Sequence, residues 1–175
     1  MPSVRQRRRI TELQTDRVIP HAGGDWSFRS ADESDAPHVA QLVDAAYEHY
    51  VERIGTTPGP MTEDYARVIA DRQVTVAETD GTIVGVIVLG LDHEGFVIDN
   101  VAVHPSQRGR GLGRALLDFA EAEAARAGFD AIHLYTHEKM TENLTLYARI
   151  GYVEYDRRSQ GDFSLVYMRK PVGAG

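Results

Sequence analysis

The chain contains no cysteine, which excludes disulfides, thiol catalysis and thiolate metal sites. It also lacks any apolar run near the roughly 20 residues that a membrane-spanning helix needs, so a soluble chain without a membrane partner is expected. A secretory leader would require an apolar core behind the basic cluster of Arg5, Arg7, Arg8 and Arg9. The stretch Ile10-Thr11-Glu12-Leu13-Gln14-Thr15-Asp16 does not supply one, and the expected location is cytoplasmic. Basic residues are in deficit, 19 against 26 acidic ones. The resulting net charge of -7 argues against nucleic-acid binding and is compatible with a cationic, amine-bearing substrate. Paired metal ligands are missing too. His104 before Pro105 has no second histidine or carboxylate at ligand spacing and reads as a turn residue, and His137-Glu138 lacks the two-histidine helical motif, so no metal is assigned.

What is present fits one domain, since 175 residues with 42% hydrophobic content can bury a single core. Residues 1–24 read as a flexible basic extension, 25–171 as the folded domain and 172–175 as a tail. Trp26 to Arg29 alternates as a strand. A helix then opens at Ser34-Asp35-Ala36-Pro37 with a stripe of Val39, Leu42, Val43 and Ala46. The linker of residues 53–60 breaks regular structure, and Thr62 is expected to cap a short helix holding Tyr65, Val68 and Ile69. Strands follow around Val74–Val76, Ile83–Leu91 and Phe96–Val103, the first two joined by a tight turn at Asp80-Gly81.

The stretch around which the chain is organised is Arg108-Gly109-Arg110-Gly111-Leu112-Gly113-Arg114. Glycines let backbone amides converge on a ligand, and the apolar spacing of Leu112, Leu116, Phe119 and Ala120 places the loop at a helix N-terminus, where unpaired N–H groups favour an anion. A P-loop would need Lys and then Ser or Thr after its last glycine, whereas Arg114 and Ala115 stand there. A dinucleotide fingerprint would need its third glycine at Arg114. After this helix, which Gly128 closes, Ala131–Tyr135 makes a strand parallel to the one before the loop. A short helix capped by Thr141 and closed by Gly151, then strands at 153–157 and 163–168, complete the chain.

Two motifs carry a resemblance. Arg108-x-x-Gly111-x-Gly113 stands directly behind the strand end Val101-x-Val103-x-Pro105, and Leu146-Tyr147-x-x-x-Gly151-Tyr152 follows at a suitable separation. Together they resemble the GNAT acyltransferase superfamily over roughly residues 26–170. The resemblance implies an α/β (α+β) fold: a single domain with a mixed, mostly antiparallel sheet, a central parallel strand pair and helices on both faces. It also implies acetyl-CoA as cosubstrate. The backbone of Val101, Ala102 and Val103 would hold the pantetheine arm. Residues Arg108, Gly109, Arg110, Gly111, Leu112, Gly113 and Arg114 would hold the pyrophosphate. Members often carry Asn seven positions before the tyrosine. Met140 stands there in this chain, and Asn143, one helical turn later, is the candidate to replace it. Tyr47, Tyr50, Arg53 and Tyr65 are candidate contacts for the acceptor, a small-molecule or peptide amine.

The implied reaction is acetyl transfer to a primary amine by direct attack in a ternary complex. An alkylammonium titrates near pH 10.4, so protons must be taken up from it. Tyr147 is the candidate donor to the departing thiolate, or else an aromatic core residue. Asp99, a carboxylate inside an apolar strand on the expected side of Val97, Val101 and Val103, is the lead base, or else is satisfied by a loop amide. Glu138, His137, His93 and a bound water are its rivals. A CoA-binding sensor without catalysis is the alternative class, a nucleotide-phosphate module a third, and a homodimer stays open.

Overall fold

The structure is a computed structural model in which residues 19–20 and 24–173 are described. Its sheet has eight strands: β1 (Ile19–Pro20), β2 (Ser27–Ser30), β3 (Gln73–Thr79), β4 (Thr82–Asp92), β5 (Gly95–Val103), β6 (Ala131–His137), β7 (Val153–Gln160) and β8 (Phe163–Pro171). The spatial order is β1-β2-β3-β4-β5-β6-β8-β7, and neighbours run antiparallel except β5 and β6. Within the antiparallel part, β3, β4 and β5 form a meander of short connections. Its tightest is at Asp80-Gly81, where both residues have positive φ (49° and 73°), as a two-residue hairpin turn requires. The parallel pair needs a crossover, and α3 (Leu112–Arg126) supplies it.

Two helical layers cover the sheet. On one face α3 and α4 (Thr141–Arg149) pack over a core that includes Phe96, Ile98, Leu116, Leu117, Ile132 and Tyr152. The other face carries α1 (Ala36–Ile54) and α2 (Tyr65–Asp71) over Val74, Val76, Val86 and Val88. Leu116 and Leu117 are fully buried. Truncating either to Ala removes about 2–5 kcal/mol of stability. The expected fold and helix stripes are all found, with local differences at the caps. Asp64, not Thr62, caps α2, its carboxylate accepting from Ala66 and Arg67, while the Thr62 hydroxyl donates to the Gly59 carbonyl. Thr141 is the first residue of α4 and Met140 its uncapped N-cap. Most of the expected N-terminal extension lies outside the described residues, and Ile19 and Pro20 within it pair with Phe28 and Ser27.

Two irregularities in β5 shape the rest. The register against β4 slips so that Val88 faces Asn100 while Leu89 faces Ile98, leaving Asp99 as the extra residue of a β-bulge. A bulge reverses strand parity. Val101 and Val103 therefore join Phe96 and Ile98 on the α3 face although the spacing between them is odd. Asp99 instead shares the α1–α2 face with Val97, both lying where a side chain on Gly90 would be. The expected common side for Asp99, Val97, Val101 and Val103 thus holds for Val97 alone. The second irregularity is a splay. β5 and β6 pair only at Phe96–Ile132, Val97–His133 and Ile98–Leu134, and beyond these β6 continues against β8 while β5 continues to Val103 against β4, its other edge open.

Candidate active site

The splay opens a cleft whose two ends are distinct cavities. The larger, about 630 Å³, lies between α1, the end of β5, the glycine loop and α4. The smaller, about 300 Å³, lies on the α1–α2 face, roofed by the linker between those helices and floored by β5 and β6. They meet at Tyr47, Val101, Asn143 and Tyr147, which line both.

One side of the large cavity is a continuous stretch of chain, and α1 and α4 close the other at residues such as His49, Tyr50 and Leu146. Val101, Ala102 and Val103 border it from the stretch of β5 that no longer pairs with β6, and Ala102 turns its own side chain into the opposite core. At the loop, Gly109 and Gly111 hold φ of 73° and 90°, a region costly for other residues, and Gly111 is the N-cap of α3 with no side-chain cap. The first amides of α3, from Leu112 and Gly113 onward, are therefore left for a ligand. Gln107, buried beneath the loop, ties it down by accepting from Trp26 Nε1 (3.4 Å) and Arg110 Nη1 (3.1 Å). That bond turns Arg110 away, and it does not line the cavity. Arg108 does, donating to the Ala46 carbonyl (3.1 Å) and lying 3.3 Å from His49 Nδ1, so its remaining donors face the cleft. Arg114 is at the cavity but paired with Asp118 at 2.8 Å.

At the junction the Tyr147 ring is core, stacked near Tyr152 and 6% exposed. Its hydroxyl makes no hydrogen bond among the described residues, and burial pushes its pKa up, so it keeps its proton. The ring is the expected core aromatic, and the residue also lines both cavities. Tyr47 donates to Asn100 Oδ1 (2.7 Å) and reaches the Val101 carbonyl (3.3 Å), while Asn100 Nδ2 donates to the Tyr65 hydroxyl (3.2 Å), which donates to the Pro60 carbonyl (2.7 Å). This chain fastens α1, the linker and α2 to the bulge. Asn143 lies on both cavities with its amide 3.7 Å from the Met140 sulfur. Met140 itself is buried against Tyr50 and Ile54.

In the small cavity Asp99 accepts from Arg72 Nη1 at 2.8 Å. Burial pushes its carboxyl above the ordinary carboxylate range, and the nearby Arg72 charge opposes that. Among the described residues no loop amide bonds it, and Arg72 is the partner it has instead. His137 is buried with Nδ1 accepting the Lys139 amide (3.1 Å). Its neutral ring thus carries the proton on Nε2, which finds no partner among the described residues, so the ring is a donor and not the base. The other rivals stand apart. His93 is exposed beside Glu94, and Glu138 lies 3.6 Å from Arg157, neither lining a cavity. Arg53 is outside as well, paired with Glu142 (2.7 Å) over the Tyr50 ring. Tyr50 lines only the large cavity and Tyr65 only the small one. Arg72, Asn100 and Gln107 gave no local signal in the sequence. Among the described residues no group of three histidines or carboxylates stands close enough to hold a metal.

The sheet thus splays beside a bulge, and a glycine-opened helix stands at one end of the gap. Residues 70–154 match the acetyltransferase (GNAT) domain family. An IAA acetyltransferase of Azospirillum brasilense is 32% identical over 108 residues, 58% of this chain and 69% of that one. The chain belongs to the GNAT acetyltransferase family. Among solved structures, the PaiA N-acetyltransferase of Thermoplasma acidophilum in complex with coenzyme A superposes with a TM-score of 0.71 at 18% identity, over 85% of this chain and 99% of that one. The yncA protein of Salmonella typhimurium with its cofactor acetyl-CoA gives 0.66 at 22%, over 86% and 95%.

Proposed function

We propose that the chain moves the acetyl group of acetyl-CoA onto a primary amine by direct attack within a ternary complex. The observation that carries this reading is the meeting of two unlike cavities at one buried tyrosine hydroxyl. The large cavity fits a pantetheine phosphate, with strand backbone at Val101–Val103, open amides at Leu112 and Gly113, and Arg108 donors beside them. Bound there, acetyl-CoA supplies an activated acyl thioester. The small cavity receives the amine.

Asp99 takes one proton from the incoming ammonium and leaves a neutral nucleophile. As the C–N bond forms and the C–S bond breaks, Tyr147 donates its proton to the departing sulfur and recovers the second nitrogen proton at the junction. The balance is amine plus thioester to amide plus thiol, with one proton left on Asp99 for release to solvent. The base must be ionised, so the rate falls as pH drops through the raised Asp99 pKa. Arg72, Glu63, Asp92 and Tyr135 face that carboxyl. The acid limb therefore lies above the ordinary Asp value of about 3.9.

Calorimetric titration with acetyl-CoA, followed by thiol release across a panel of amines, tests this. Micromolar binding with amine-dependent release is expected. Tight binding with no release from any amine would make the chain a CoA-binding module instead.

A further inference from the structure

The small cavity describes its own occupant, on the reading that it takes the acceptor. At one end the Asp99 carboxylate sits in a socket. A Cβ on Gly90 would lie 2.7 Å from Asp99 Oδ2, so only glycine at that position of β4 leaves the carboxylate its place. Among the described residues that carboxylate pairs with Arg72, the residue that ends α2, whose side chain is 41% exposed and reaches in from the rim. Glu63 adds a second carboxylate to the same lining. Among the described residues no lysine lines the cavity, and its one arginine is already spent on Asp99. The rest of the wall mixes apolar side chains, Ile54, Val68, Leu134, Phe163 and Leu165, with uncharged polar ones such as Thr136 and Asn143.

Each feature constrains the ligand. A carboxylate on the acceptor would meet two carboxylates and no free cation. An ammonium has a place. An ion pair held by a half-exposed arginine is worth little. Exchanging guanidinium for ammonium keeps the half-buried carboxylate paired throughout. We propose that the acceptor is a compact amine on an aromatic or aliphatic body without a carboxylate, and that its ammonium displaces Arg72 from Asp99. Arg72 is then a positioning residue that holds the carboxylate ionised until substrate replaces it. A volume of about 300 Å³ suits a body of one ring or a short branched chain.

The test is calorimetric binding of matched amines to the CoA-loaded protein at pH 8, with thiol release measured in parallel from acetyl-CoA. Phenethylamine should bind at least about 100-fold more tightly than phenylalanine, which adds only a carboxylate. In Arg72→Met the Kd and KM for phenethylamine should fall severalfold, because the competitor is gone, and Arg72→Lys should lie between the two. Tighter binding of phenylalanine, or no binding of either, overturns the proposal. So does weaker phenethylamine binding in Arg72→Met at an unchanged melting temperature. Phenethylamine binding without thiol release would leave the occupant assigned and overturn the transferase reading alone.

Discussion

The two cavities are made of different material. The one beneath the glycine loop takes one side from a continuous stretch, the end of β5 and the start of α3, and is closed by α1 and α4. The other is assembled from side chains of α1, the linker, α2, β5, β6 and β8, segments far apart in the chain. Backbone sites tolerate sequence drift because any residue supplies an amide, provided glycine is kept where φ is positive. Side-chain sites do not. Chemistry shared by many acceptors therefore belongs to the first cavity, and discrimination between acceptors to the second.

Substitutions can break that division in graded steps. The largest effect is expected at Gly111→Val. A Cβ there meets no protein atom within 4 Å, so the damage comes from its φ of 90° and from filling the cleft. Acetyl-CoA affinity should drop about 100-fold by calorimetry, the loss of one or two charge-assisted hydrogen bonds. Tyr147→Phe comes next. It should lower kcat about 100-fold while leaving the acetyl-CoA Kd and the melting temperature unchanged, since the hydroxyl makes no hydrogen bond among the described residues. A matching loss of affinity would move Tyr147 from the junction into the cofactor side. Gly90→Ala should act on the small cavity alone, dislodging the Asp99 carboxylate and lowering kcat/KM for the amine about tenfold at unchanged CoA affinity, with about 1–3 kcal/mol lost to overpacking. Smallest of all is Arg53→Ala. Arg53 lines neither cavity, and its exposed pair with Glu142 at the edge of the large one is worth little, so binding of either substrate should stay within about twofold. A larger effect would place that pair inside the acceptor path.

The same division explains what could be read in advance. Periodicity located every helix and the hairpins, and the glycine loop with its preceding strand announced the phosphate cradle, because those features are local and repeat with the period of the element. Tyr147 was legible through the motif Leu146-Tyr147-x-x-x-Gly151-Tyr152. Arg110 was read with its neighbours as a phosphate ligand, and only the buried Gln107 beneath the loop shows where it turns. Asp99 was recognisable as a carboxylate in an apolar strand, but its side of the sheet was not, because a bulge is invisible to strict alternation. Arg72 and Asn100 belong to the site through contacts across 27 and 53 positions, Arg72 with Asp99 and Tyr47 with Asn100, and nothing in their neighbours marks them.

The last strand of the chain is not at the edge of the sheet. β8 lies between β6 and β7, and its Val166 and Met168 belong to the same core as Tyr147. During synthesis the glycine loop, the bulge and the tyrosine helix all leave the ribosome before the strand that pairs with β6. Until then β6 presents an open edge, and β7 has nothing to lie against. Strand β8 thus acts as a keystone laid late: the glycine loop, Asp99 and Tyr147 are already made when it arrives.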